Sequence, residues 1–89
     1  ALAKMTVLPA RRLEGVAPMM KRKGRVQVGA DADLAIFDPE KVRDVSTFRQ
    51  PAEPSTGIPY VIVGGQVVVD QGTIVPTVWP GQAVIGSRP

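Results

Sequence analysis

Among the side chains able to do chemistry, three aspartates lie closest together: Asp31, Asp33 and Asp38, in Gly29-Ala30-Asp31-Ala32-Asp33-Leu34-Ala35-Ile36-Phe37-Asp38. In an extended segment Asp31 and Asp33 project to the same side, and paired carboxylates are the start of a site for a hard cation, which takes oxygen ligands. Two carboxylates fall well short of a full ligand set, and Asp beside Gly in a tight turn more often accepts backbone N–H groups. The turn is the expectation. A basic run, Lys21-Arg22-Lys23 with Arg25, forms the second cluster. Such runs supply the non-specific part of nucleic-acid affinity, but only 4% of the chain is aromatic and no aromatic residue lies within the run to stack a base. A solvated helix end is expected there, and no nucleic-acid partner. Ser46, Thr47, Ser55 and Thr56 have no base to activate them, because the chain contains no His and no Cys. That absence removes thiolate nucleophiles, disulfides, imidazole acid–base catalysis and ordinary zinc or haem sites. No glycine group forms a phosphate-cradling loop ahead of a helix. Trp79, between Val78 and Pro80, reads as an anchor for a C-terminal strand. No residue is assigned a catalytic, cofactor-binding or metal-binding role.

The elements that would position these residues belong to one small domain. A chain of 89 residues buries only about 60–65% of the surface it exposes when unfolded, so its core is thin. Nine Gly and nine Pro interrupt long helices, and the apolar 44% leans to Val and Ile, which suit a pleated surface better than a helix. A short helix is expected from about Pro9 to Gly15, with an apolar stripe at Leu13, Val16, Ala17 and Met20 and irregular structure up to Met20. Arg22-Lys23-Gly24 reads as its stop. From Arg25 the period changes to two, giving an expected strand Arg25–Val28 closed by a turn at Gly29–Asp31. Asp33–Asp38 is a second strand, apolar on both faces as if covered on both sides. Lys41 to Pro54 is a long loop with one helical turn, and long loops in compact domains tend to have functional or docking roles. Ile58–Val63 and Gln66–Asp70 flank Gly64-Gly65, a strong hairpin signal because both turn positions want positive φ. Strands Thr73–Val75 and Gln82–Ile85 are expected to follow. The fold class is therefore mostly β, a small antiparallel β-sandwich or partial barrel with one short N-terminal helix.

Three segments in order resemble a known family: Leu8-Pro9-Ala10-Arg11-Arg12-Leu13; Gly24-Arg25-Val26-x-x-Gly29-Ala30-Asp31-Ala32-Asp33-Leu34-Ala35-Ile36-Phe37-Asp38-Pro39; and Gly57-Ile58-x-x-Val61-x-Val63-x-Gly65 with Asp70-x-Gly72 and Pro80-Gly81. This is similar to the C-terminal end of metal-dependent amidohydrolases, and Thr6 to Asp44 with the Pro51–Gly57 loop most resembles the D-aminoacylase (N-acyl-D-amino-acid deacylase) branch. Gly64 stands where that family usually has Asn, and both permit positive φ.

The resemblance implies a division of labour. In such enzymes a (β/α)8 barrel holds the metal, zinc for this branch, and activates water against an amide carbonyl, while a small β-sandwich built from both chain termini packs beside it. Residues 1–23 would then be the terminal barrel helix and its connection, and residues 24–89 the sandwich accessory domain, itself non-catalytic, with Phe48 to Ser55 placed to shape the barrel mouth. Its partners would be the barrel and the N-terminal strands. Cut free, the strands would expose unpaired edges and a half-covered face, so self-association is expected. The opening in mid-element suggests a fragment of something longer. No apolar run reaches the ~18 residues of a membrane span and no signal-peptide core follows Ala1, so a cytoplasmic protein without membrane contact is expected. The same domain from a cyclic amidohydrolase of dihydropyrimidinase, dihydroorotase or imidazolonepropionase type is the second reading. A free-standing basic β module binding nucleic acid or protein is the third.

Overall fold

A computed structural model describes residues 1–87. The N-terminal helical segment is broken in two, α1 (Leu2–Met5) and α2 (Val7–Leu13), at Thr6. Pro9 explains the break: it has no N–H to give to the carbonyl four residues back, and its ring clashes with that carbonyl. The first full-turn bond of α2 comes one residue later, from Ala10 N–H to Thr6 O at 3.2 Å. The Thr6 hydroxyl turns back to Leu2 O at 2.6 Å instead of capping α2. A 3-10 turn, Pro18–Arg22, follows, with Pro in its first turn. Lys23 leaves it extended and Gly24 at φ 69° stops it.

Four antiparallel strands make one open sheet in the order β1 (Leu34–Ile36), β2 (Tyr60–Val63), β3 (Gln66–Asp70), β4 (Thr73–Ile74). The small, mostly-β antiparallel domain with a short N-terminal helix is thus what forms, as a single sheet that does not close. The β2–β3 hairpin turns at Gly64 and Gly65, φ 57° and 79°, both positive as a two-residue turn of this hand requires. Gln71 and Gly72, φ 49° and 79°, repeat the device between β3 and β4. The register jumps between Val61 opposite Val69 and Ile62 opposite Val67, which leaves Val68 as the extra residue of a β-bulge.

Several sequence expectations are corrected. Arg25–Val28 is not a strand, and both Val26 and Val28 are exposed. The alternation is only four residues long between Gly24 and Gly29, both at positive φ, and a Gln27–Ala30 turn (Ala30 N–H to Gln27 O, 3.1 Å) folds it over. The Lys41–Pro54 loop contains no helical turn. Gln82–Ile85 does not pair as a strand. Pro76 ends β4, and the chain beyond it returns to the helical segment, where Ser87 N–H donates to Val16 O at 2.8 Å. Half of the expected apolar stripe is uncovered: Leu13 and Val16 are exposed, Met20 is half-buried and Ala17 is buried. Among the described residues only Ala10 and Ala17, at 1% and 7% exposure, are buried.

Candidate functional site

The aspartate cluster forms as a turn-stabilising network. Lys23 Nζ lies 2.5 Å from Asp33 Oδ2 and 2.9 Å from Asp31 Oδ2. The other oxygen of Asp33, Oδ1, accepts the Gly64 N–H at 2.8 Å, and Gly65 N–H donates to Ala32 O at 3.0 Å. The ammonium of Lys23, then the Gly64 N–H, hold the Asp33 carboxyl below the usual aspartate range; Asp33 and then Asp31 hold Lys23 above the usual lysine range. Asp38 caps its own turn by accepting Glu40 N–H at 2.9 Å. Among the described residues no three Asp, Glu, His or Cys side chains converge to hold a metal ion.

The basic run is largely neutralised by neighbours. Arg22 Nε is 3.5 Å from Asp31, Lys23 has its two aspartates, and Arg25 reaches Glu14 at 3.3 Å while its Nε donates to Lys23 O at 2.9 Å. A stripe of cations paired in this way has little left for phosphates. The pairing was hidden in sequence because Glu14 lies eleven residues from Arg25.

The Arg43–Thr56 loop is closed at its base by an antiparallel bridge between those two residues, with N–H to O distances of 3.0 Å in both directions, and by Asp38 N–H to Gly57 O. Within it, Asp44 accepts both the N–H and the hydroxyl of Ser46, which lowers its carboxyl below the usual range. Thr47 accepts Gln50 N–H at 3.0 Å. These bonds brace a tip on which Phe48 is fully exposed.

An apolar groove opens on the sheet as well. Val63, Val68, Ile74, Val78 and Trp79 line an open groove of about 400 Å³ on the sheet. Trp79 does not anchor a strand: it is 83% exposed and its indole N–H donates to Pro76 O at 3.1 Å. Ile74 is 67% exposed, and Ile36, Phe37, Val84 and Ile85 are open as well. The chain exposes 7373 Å² in all. A folded monomer of its 9.5 kDa exposes about 5,000 Å², so roughly 2,300 Å² is in excess, the scale of one partner's share of a large obligate interface. The Cα radius of gyration, 14.9 Å, likewise exceeds the roughly 12 Å of a compact chain of this length.

The sequence profile of the Amidohydrolase family matches residues 1–69. The chain belongs to the amidohydrolase family. It is 43% identical to the N-acyl-D-glutamate deacylase of Alcaligenes xylosoxydans xylosoxydans over 82 residues, covering 92% of this chain and 15% of that enzyme. It is 40% identical to the D-aminoacylase of the same organism over 88 residues, 99% of this chain and 15% of the relative. With the D-hydantoinase of Rhizobium radiobacter it shares 35% identity over 92% of this chain and 20% of the relative. The likeness to D-aminoacylases read from the three motifs therefore holds. This amidohydrolase segment spans about 15% of the length of the two deacylases. No solved structure matches it. No described helix is long and apolar enough to cross a membrane.

Proposed function

We propose that this amidohydrolase segment is a non-catalytic accessory domain at the C-terminal end of a D-aminoacylase-like enzyme, the parent protein hydrolysing the amide of N-acyl-D-amino acids. The observation that carries the reading is the whole chain's excess of about 2,300 Å² of exposed surface, with Ile36, Phe37, Ile74 and Trp79 open on and beside the sheet. The occupant of that surface is the remainder of the same polypeptide, the barrel and the N-terminal strands that the resemblance implies. The share of its relatives' length that the chain spans supports this, since most of a deacylase lies outside it. The division 1–23 for the terminal barrel helix and 24–89 for the accessory layer goes with this assignment, as does a cytoplasmic parent. The zinc of the parent would be held by barrel residues, as the resemblance implies; among the described residues no three Asp, Glu, His or Cys side chains converge to hold a metal ion. What the segment contributes is rigidity: a sheet that covers the barrel flank, and the braced Phe48 loop at its rim.

The 35% identity to a D-hydantoinase supports a second reading, in which the parent opens a cyclic amide and the accessory role is the same. The pairing of Arg22, Lys23 and Arg25 with carboxylates argues against the nucleic-acid form of the third reading, a free-standing basic β module binding nucleic acid or protein.

The test places one charge on the uncovered face. Ile74→Asp in the full-length enzyme should lower stability by about 2 kcal/mol or more, because an unpaired carboxylate would be buried against the barrel side, while an exposed site tolerates such a change within about 0.5 kcal/mol. A melting temperature equal to that of the unsubstituted enzyme would contradict the docking of this face.

A further inference from the structure

No Cα of α1, α2 or the 3-10 turn lies within 8 Å of a strand Cα, so packing between elements does not set how the helical unit is held to the sheet. The helical unit is held instead through the connection at 23–33 and the C-terminal tail. We propose that Lys23, Asp31 and Asp33 form an acid-releasable clasp that fastens the helical unit to the turn of the central hairpin.

The geometry divides one carboxylate between the two units. Asp33 Oδ2 faces the Lys23 ammonium at the exit of the 3-10 turn, and Oδ1 faces the Gly64 N–H at the tip of the β2–β3 hairpin. Lys23 is held in place by a second acid, Asp31 at 2.9 Å, whose own N–H donates to Arg22 O at 2.9 Å. Gly65 N–H to Ala32 O, 3.0 Å, fixes the hairpin tip against the same connection. Asp31, Asp33 and Lys23 are each only about a fifth to a third exposed at the side chain, so solvent screens the clasp less than a free surface pair. Among the described residues the charged groups around it are few. From the 3-10 turn Arg22 stands on the far oxygen of Asp31 at 3.5 Å, and Arg25, on the connection, donates to Lys23 O and has Glu14 of the α2 C-terminus as its own acid. The hairpin contributes Gly64 and Gly65, which have no side chains. The second tie, Ser87 N–H and hydroxyl to Val16 O, involves no ionisable group.

Because Asp33 is more acidic in the folded protein than in the unfolded chain, the stability it supplies is complete above about pH 4 and is lost as pH falls through its lower folded-state value. Lys23 is less acidic when folded, so its share is complete below about pH 10 and is lost as pH rises through its higher folded-state value. The clasp is closed between those limits and opens at the acid side by protonation of Asp33.

The experiment uses the full-length enzyme labelled with 15N-glycine. The Gly64 amide should titrate with a midpoint below the ordinary aspartate range in the unsubstituted protein. In Lys23→Met the midpoint should rise by several tenths of a pH unit or more, and Asp33→Asn should abolish the titration. At a fixed neutral pH, amide exchange over residues 7–22 should quicken about threefold to fivefold in Lys23→Met, while Lys21→Met, a control on the same turn, should leave it unchanged. A Gly64 amide that does not titrate, a midpoint unmoved by Lys23→Met, or exchange over residues 7–22 unchanged in that variant would each overturn the proposal.

Discussion

Gly24 stands at φ 69°, and a Cβ built there would come within 2.5 Å of Thr6 O and 3.0 Å of Ala10 Cβ. Two requirements meet at this residue, a left-handed backbone and the close passage of the chain over the start of α2. Gly29, at φ 86°, has only the first, since nothing lies within 4 Å of its missing side chain. Gly29→Ala should therefore cost about 1–2 kcal/mol, the backbone preference alone, and Gly24→Ala about 2–4 kcal/mol, because the Thr6 carbonyl must also move. Chemical denaturation of the two variants in the full-length protein checks the difference, and equal effects would show that the close approach does not matter. At this scale the stop after the basic run was legible, since Arg22-Lys23-Gly24 carries it locally. The use of Asp33 was only half legible: a carboxylate in a Gly-Ala-Asp-Ala-Asp turn was expected to accept a backbone N–H, but the donor, Gly64, lies 31 residues away, a distance that no local pattern encodes.

The central hairpin is the element the sequence specifies most fully, because its signal is confined to a few adjacent residues: two β-branched runs around two glycines that both take positive φ. The turn has room on one side, where a Cβ on Gly64 would meet Pro80 at an ordinary 3.7 Å. Asn tolerates a left-handed backbone and keeps the N–H that Asp33 accepts, so Gly64→Asn should hold stability within about 0.5 kcal/mol. Gly64→Val should lower it by about 2 kcal/mol. Urea midpoints of the two variants separate these outcomes. Strand formation was misread where alternation lacked a partner. Val26 and Val28 repeat with the right period, but a strand needs hydrogen bonds from a neighbour, and that stretch is turned away from β1 by the Gln27–Ala30 turn. The bulge at Val68 was invisible for a different reason: Val67, Val68 and Val69 are chemically alike, so nothing in the run marks which of them is the extra residue.

For the molecule as a whole, composition and structure conflict in an informative way. A chain that is 44% hydrophobic buries two alanines among its described residues, and Ile74 on the sheet and Trp79 beyond it face solvent. Released from the parent, the segment should associate, with a sedimentation coefficient that rises with concentration. A stable monomer across the micromolar range would count against the docking reading. The same preparation should not hydrolyse N-acyl-D-amino acids, and measurable turnover would place reactive groups here after all. Expectations at this scale came from resemblance more than from periodicity, because alternation tells which side of a strand is apolar and not what covers it.

The single antiparallel rung between Arg43 and Thr56 separates the loop beyond it from the rest of the domain. Everything past that rung is bonded to itself, through Asp44, Ser46, Thr47 and Gln50. Doubling such a loop adds only about 0.6 kcal/mol of closure entropy, and none of the added residues would disturb the strands. The loop can thus be lengthened, shortened or exchanged as a cassette, which leaves selection free to remodel it without renegotiating the fold.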